Sequence, residues 1–181
     1  MATALVPLAQ GCEELEAVTI IDLFRRAGVA VVAAGLEPGP VTASRGVVLL
    51  PETTLDAVLD RDFDMVVLPG GLGGAQRLEA DQRIAALLRN MAERGRYVAA
   101  ICAAPKVLAS AGLLKNREAT AYPGILDDQA AIRLSSAAVV RDGTFVTSRG
   151  PGTAMDFALA LIEILCGAGK RDEVEAALQR P

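Results

Sequence analysis

Cys102 and Glu16, far apart in the chain, carry the chemistry this sequence can do. Cys102 lies in Tyr97-Val98-Ala99-Ala100-Ile101-Cys102-Ala103-Ala104-Pro105, where an apolar strand-like run gives way to an alanine-rich helix. A cysteine at such a junction faces the first unpaired N–H groups of the helix, which favour a thiolate over a thiol. Strand, sharp turn with nucleophile, then helix is the layout of a nucleophile elbow, here with sulfur in place of a serine oxygen. The same residue also fits a plainer role as a small buried filler, the usual fate of a free cysteine. Glu16 stands in Gly11-Cys12-Glu13-Glu14-Leu15-Glu16-Ala17, one turn inside a helix. If it points inward it loses solvent and keeps its proton. It can then donate a hydrogen bond to a thiolate and later hand the proton over. If it points outward it only complements the helix N-terminus, as Glu13 and Glu14 are expected to do. Gly70 and Gly71, in Val67-Leu68-Pro69-Gly70-Gly71, place no side chain between their N–H groups and a developing oxyanion.

The chain contains no histidine. A Cys-His or Ser-His-Asp unit within one chain is therefore excluded, as is a histidine-ligated metal. No metal and no cofactor are expected. Gly71-Leu72-Gly73 is a weak dinucleotide signal, because Gln76 occupies the third glycine position and no acidic residue ends a strand about twenty residues on. Of the remaining cysteines, Cys166 falls on the apolar stripe of a late helix and is expected in the core. Cys12 precedes an acidic run that raises its pKa.

The elements that must position these groups can be read from periodicity. Residues 3–8, 29–34 and 64–68 are short apolar strands, and the run up to Cys102 is a fourth. Residues 13–27 read as a helix that acids open, Arg25 and Arg26 close and Gly28 caps. Residues 81–94 and 152–165 repeat apolar residues at helical spacing, the strand at Cys102 leads into a helix reaching Ala111, and residues 172–179 form a short terminal helix. Residues 41–51 suggest a hairpin. A second hairpin, 137–148, turns at Asp142-Gly143, a type I′ signal. Residues 120–122 are expected as a brief strand and 126–134 as a helix. Strands alternating with helices, and apolar on both faces, mean a mostly parallel sheet covered on both sides. The expected architecture is one flavodoxin-like, three-layer α/β/α domain over residues 1–181, with its site at the carboxyl ends of the strands.

Composition narrows the function classes. The 181 residues are 52% hydrophobic and 22% charged, as in a compact globular protein. Aromatics are 3% with no Trp, which leaves no stacking platform for single-stranded nucleic acid. The net charge is −4 without a basic block, so neither nucleic acid nor a membrane surface is expected as a partner. No apolar stretch has transmembrane length, no basic-then-apolar leader opens the chain, and the cysteines form no disulfide framework. A reducing cytoplasm is the expected location.

The motifs around Glu16, Gly70-Gly71 and Cys102, with Thr147-Ser148-Arg149-Gly150-Pro151-Gly152-Thr153, resemble those of the DJ-1/PfpI superfamily. They are most similar to its branch of parkinsonism-associated deglycases and bacterial YajL-type proteins. The similarity runs from about residue 4 to about residue 167. It implies a homodimer with Cys102 as an oxidisable nucleophile and Glu16 as its protonated partner. It further implies glyoxalase or deglycase chemistry on methylglyoxal or its early adducts, protection against carbonyl and oxidative stress, and chaperone action on client proteins. The alternative is a redox sensor or chaperone switched by oxidation of Cys102. Arg26 and Arg45 match arginines that line an anion-binding spot near the site and the dimer contact in relatives; as plain sequence they are solvated surface arginines. The chain departs from the family at three positions. Ala103 stands where protease-like branches carry histidine, which speaks against peptidase activity. Tyr122 replaces a histidine near the site, and Leu50 replaces a cysteine near the dimer contact. The dimer contact is expected on the first helix, through Val18, Ile21 and Phe24.

Overall fold

Strands that are apolar on both faces need cover above and below, and the chain supplies it by alternating strand and helix. The computed structural model describes residues 1–180. In order the elements are β1 (Thr3–Leu8), α1 (Glu14–Arg26), β2 (Ala30–Gly35), β3 (Val41–Thr42), β4 (Val48–Leu49), β5 (Thr53–Thr54) and β6 (Met65–Leu68). There follow α2 (Leu72–Ala80), α3 (Gln82–Glu93), β7 (Tyr97–Ile101), α4 (Pro105–Ser110), β8 (Glu118–Ala119) and β9 (Arg133–Leu134). The chain ends with β10 (Val139–Asp142), β11 (Phe145–Ser148), α5 (Ala154–Cys166) and α6 (Ala168–Ala177).

The main sheet has seven strands in the order β10-β11-β7-β6-β1-β2-β5. All neighbours run parallel except the β10–β11 hairpin. This is the flavodoxin-like α/β architecture expected from the sequence. From β1 the chain moves to β2 and β5 in one direction; with β6, β7 and β11 it moves in the other. Right-handed crossovers in opposite directions put the helices on opposite faces. Thus α1 packs with α5, and α2 packs with α3 and α4. The reversal leaves a crevice beyond the carboxyl ends of β1 and β6, where such folds place their sites. One continuous apolar cluster from Ala4 to Val174 holds the layers together, with Phe24, Phe63 and Phe157 fully buried.

Several expectations need correction. Residues 126–134 are not helical. Gln129 N–H donates to Leu126 O and Ile132 N–H to Gln129 O, isolated turns that do not propagate, and Arg133–Leu134 leaves to pair with β8. The expected strand at 120–122 lies instead at 118–119. Cys166 is exposed, not core: it is the last residue of α5, whose buried face ends at Ile162. Phe24 points into the core, so it cannot belong to a surface contact. Helix α2 had no signal in the sequence, because Gly73 and Gly74 are poor helix formers.

The second of these glycines has a packing reason. A β-carbon on Gly74 would lie 2.6 Å from Cys12 Cα and 2.7 Å from Cys12 N. The first turn of α2 therefore lies directly on the loop that launches α1. Gly74→Ala should destabilise the fold by about 1–3 kcal/mol, the usual cost of overpacking. A lowered urea midpoint with unchanged slope would show it; an unshifted midpoint would mean that this contact has slack.

Candidate active site

Cys102 occupies the one residue between β7 and the turn into α4. Its φ is 64°, in the left-handed region that a side chain enters only at a cost of about 1–2 kcal/mol. Two backbone bonds hold it there. Cys102 N–H donates to Ser148 O at the end of β11 (2.9 Å), and Cys102 O accepts from Tyr122 N–H (2.9 Å). The chain thus spends strain to present one thiol at the strand ends, as an elbow does. Cys102 is 9% exposed.

Glu16 is turned inward and fully buried. Its Oε2 accepts from Gly70 N–H at 2.7 Å, and its Oε1 has no partner. A β-carbon on Gly70 would lie 2.7 Å from both Glu16 Oε2 and Cys102 Cβ, so carboxyl and cysteine converge on the space a side chain would fill. Gly71 has φ 82°, and its β-carbon would meet Glu13 N and Gly11 O at 2.5 Å. Loop 69–71 must therefore be bare backbone, for reasons of space at Gly70 and of both space and conformation at Gly71.

This geometry changes the roles expected of the two glycines. Gly70 N–H is committed to Glu16 and is not an oxyanion donor. Gly71 N–H and Ala103 N–H are the groups that face the Cys102 sulfur. The helix does less than the sequence suggested, since α4 has only six residues and begins three residues beyond Cys102. Local N–H groups, not a long helix dipole, support negative charge on the sulfur.

The acid and the thiol titrate as one unit. Burial pushes Glu16 up to about 7, against the pull of the Gly70 N–H and Cys102 bonds. Burial and the Glu16 charge push Cys102 up to about 12, against the Gly71 and Ala103 N–H groups. The expected thiolate is therefore not favoured while Glu16 is ionised. With its proton in place, Glu16 exerts no charge repulsion and can donate to the sulfur. The pair accommodates one negative charge readily and resists a second.

The other sequence-predicted residues fall at varying distances. Ala103 is at the elbow, buried, contributing its N–H. Tyr122 is bonded to the elbow through its backbone, and its half-exposed ring rests against Gly150. Arg45 lies on the β3–β4 hairpin beside the start of α1, where its backbone N–H donates to the Glu14 carboxylate (2.9 Å). Glu13 and Glu14 both reach Ser44 Oγ, at 2.6 and 3.0 Å, so they anchor that hairpin. Arg26 is not brought to Cys102. It pairs with Asp22 (2.7 Å) ten residues down α1 from Glu16, roughly 15 Å along the axis at ~1.5 Å per residue. Cys12 is fully buried, and burial pushes its thiol up to about 11. Sequence reasoning missed Ser148, whose carbonyl holds the elbow and whose hydroxyl contacts Thr153 (2.7 Å).

Residues 2–164 match the DJ-1/PfpI family. The chain belongs to that family. It is 45% identical to the protein dj-1beta of Drosophila melanogaster, over 97% of this chain and 96% of the fly protein. The crystal structure of Drosophila DJ-1beta superposes with a TM-score of 0.96 at 43% identity, covering 99% of this chain and 98% of the other. The deglycase PH1704 of Pyrococcus horikoshii is 34% identical over 84% of this chain and 93% of its own length. No helix among the described residues is long and apolar enough to cross a membrane.

The Glu16 proton has a measurable consequence for stability. The folded protein holds it to about pH 7, whereas an ordinary glutamate releases it near 4.5. Between those values the folded state binds more protons, so stability falls as pH rises and levels off above about 7. At 1.36 kcal/mol per unit the span is about 3 kcal/mol. The depressed carboxyls, such as Asp81 and Asp142, act below this window and in the opposite sense. Urea midpoints between pH 5 and 8 should fall in the parent and stay level in Glu16→Gln; parallel curves would mean that Glu16 is ionised in the fold.

Proposed function

We propose that the protein is a cofactor-independent cysteine enzyme that converts α-oxoaldehydes, methylglyoxal or its early adducts, to hydroxy acids. The observation that carries this reading is the buried Glu16 carboxyl beside a strained Cys102, an acid–base group and a nucleophile with no histidine between them. The similarity to a deglycase supports it.

Cys102 Sγ adds to the aldehyde carbon. One S–C bond forms, and the thiol proton passes through Glu16 to the carbonyl oxygen, giving a hemithioacetal. Gly71 N–H and Ala103 N–H are the donors available to that oxygen as it gains charge. Glu16 enters as a carboxylate and is one again after relaying the thiol proton. It removes the proton from the attacked carbon and returns it to the neighbouring one, while the hydroxyl proton of the attacked carbon moves to the former ketone oxygen. The hemithioacetal becomes the thioester of lactate without an external oxidant or reductant. Water then attacks the thioester, the S–C bond breaks, and the sulfur regains its proton. Methylglyoxal and water are consumed, and lactate is released. A glutamate pushed up to about 7 suits both directions of transfer near neutral pH.

Lactate formation by metal-free protein tests this. Cys102→Ala should abolish it. Glu16→Gln keeps the length and a donor but cannot exchange a proton, so the rate should drop by ~10²–10⁴-fold, the usual worth of acid–base transfer. Turnover by Glu16→Gln at the parent rate would reduce Glu16 to a structural partner.

The working form on this reading is a homodimer in a reducing compartment such as the cytoplasm. Leu15 and Val18 are exposed on α1, and Val47, Val48 and Leu50 are exposed on the hairpin that Glu14 ties beside them. An apolar face on one helix and its neighbouring hairpin is suited to a two-fold, self-complementary contact. Light scattering at micromolar concentration should give twice the chain mass, and Val18→Asp should halve it. A monomeric parent would overturn the assignment.

A further inference from the structure

Methylglyoxal is too small to use a hollow that lies next to the elbow, on the side of Tyr122, whose backbone N–H is bonded to the Cys102 carbonyl. This hollow of about 760 Å³ is lined by Ala121, Tyr122, Leu126, Leu134, Arg149 and Pro151, among others. Its size falls in the ~300–1,000 Å³ range typical of pockets for drug-sized ligands. Both of its walls are tied to Cys102. The wall carrying Tyr122 hangs on the Cys102 carbonyl, and the wall carrying Arg149 and Gly150 follows Ser148, which holds the Cys102 N–H. The lining is mostly apolar. Its one cation, Arg149, gives a guanidinium N–H to Ser136 O (3.0 Å). Tyr122 leaves half its surface uncovered in a chain that is otherwise very poor in aromatics. One edge of the ring rests against Gly150, where a β-carbon would lie 3.4 Å from it, and the rest of the ring is left open.

We propose that Tyr122 is a specificity residue, and that the site favours α-oxoaldehydes whose acyl group is aromatic or comparably bulky and apolar. This rests on the reading of Cys102 and Glu16 given above. The aldehyde carbon bonds Sγ as before. The ketone substituent extends along the hollow, covers the Tyr122 ring and displaces water from apolar lining. The balance of the reaction is unchanged: phenylglyoxal and water give mandelate. A histidine at position 122 would present a smaller and more polar face to the same substituent.

The test is the ratio of kcat/KM for phenylglyoxal to that for methylglyoxal. Rates are corrected with Cys102→Ala, because phenylglyoxal also condenses with arginine. The parent should favour phenylglyoxal. Tyr122→Ala should lower the ratio by about three- to tenfold, the worth of one aromatic contact, and Tyr122→Phe should restore it. A ratio within twofold of the parent in Tyr122→Ala overturns the proposal while leaving methylglyoxal turnover, and the proposed function, standing. If the parent turns over neither aldehyde, the proposed function fails, and calorimetric titration with mandelate and lactate decides this proposal. Tighter mandelate binding that Tyr122→Ala abolishes supports the role of Tyr122; equal binding of the two acids overturns it.

Discussion

The structure of this site depends on one buried hydrogen bond, from Gly70 N–H to Glu16 Oε2. A carboxyl without solvent is costly when charged, and this one has a single backbone partner and a bare second oxygen. The inexpensive solution is to keep the proton, and a proton held by the carboxyl needs an acceptor. The Cys102 sulfur is the neighbour able to take that role. Thus burial alone, without any histidine, creates a group that titrates near neutral pH beside a nucleophile. The bond also determines what Gly70 can be. Its N–H is used, its β-carbon space is occupied from both sides, and the oxyanion donors must come from Gly71 and Ala103.

The sheet explains how three distant segments reach that bond. The reversal of strand order between β1 and β6 opens the crevice, α1 carries Glu16 into it from one side, and β7 brings Cys102 from the next strand over. The register is exact where it matters. Ser148 pairs with Ile101, so the end of β11 supplies the carbonyl that holds the Cys102 N–H. The φ of 64° at Cys102 is sustained by this pairing and by the Tyr122 N–H on the other side. The strain is local, and the surrounding ladder over-determines it.

Much of this was legible in the sequence because it rests on local signals. The apolar run ending at Cys102 marks the elbow, since only a strand needs that pattern and only a turn follows it. The helix over residues 13–27 appears at 14–26 because acids, bases and Gly28 agree on its ends. What stayed hidden depends on contacts distant in sequence. Helix α2 contains two glycines that propensity counts against it; the Cys12 backbone lying on Gly74 explains the second of them. The stretch 126–134 has helix-compatible residues, but β8 recruits Arg133 and Leu134 into a ladder. That Gly70 serves Glu16, and is not a second oxyanion donor, follows from a 54-residue separation that no motif encodes.

A protein with no histidine also has a narrower range of chemistry than its elbow suggests. The Cys102 thiol has no neutral base to deprotonate it, so its activation is tied to the ionisation of Glu16, and that ionisation in turn opposes a charge on sulfur. Proton and electron pair must therefore move together: the sulfur becomes nucleophilic as its proton leaves through the carboxyl toward a substrate oxygen. Carbonyl addition meets this condition, because the acceptor oxygen lies one bond from the attacked carbon. Peptide cleavage asks for a further proton donor on the side of the leaving amine, and at position 103 the chain offers a backbone N–H.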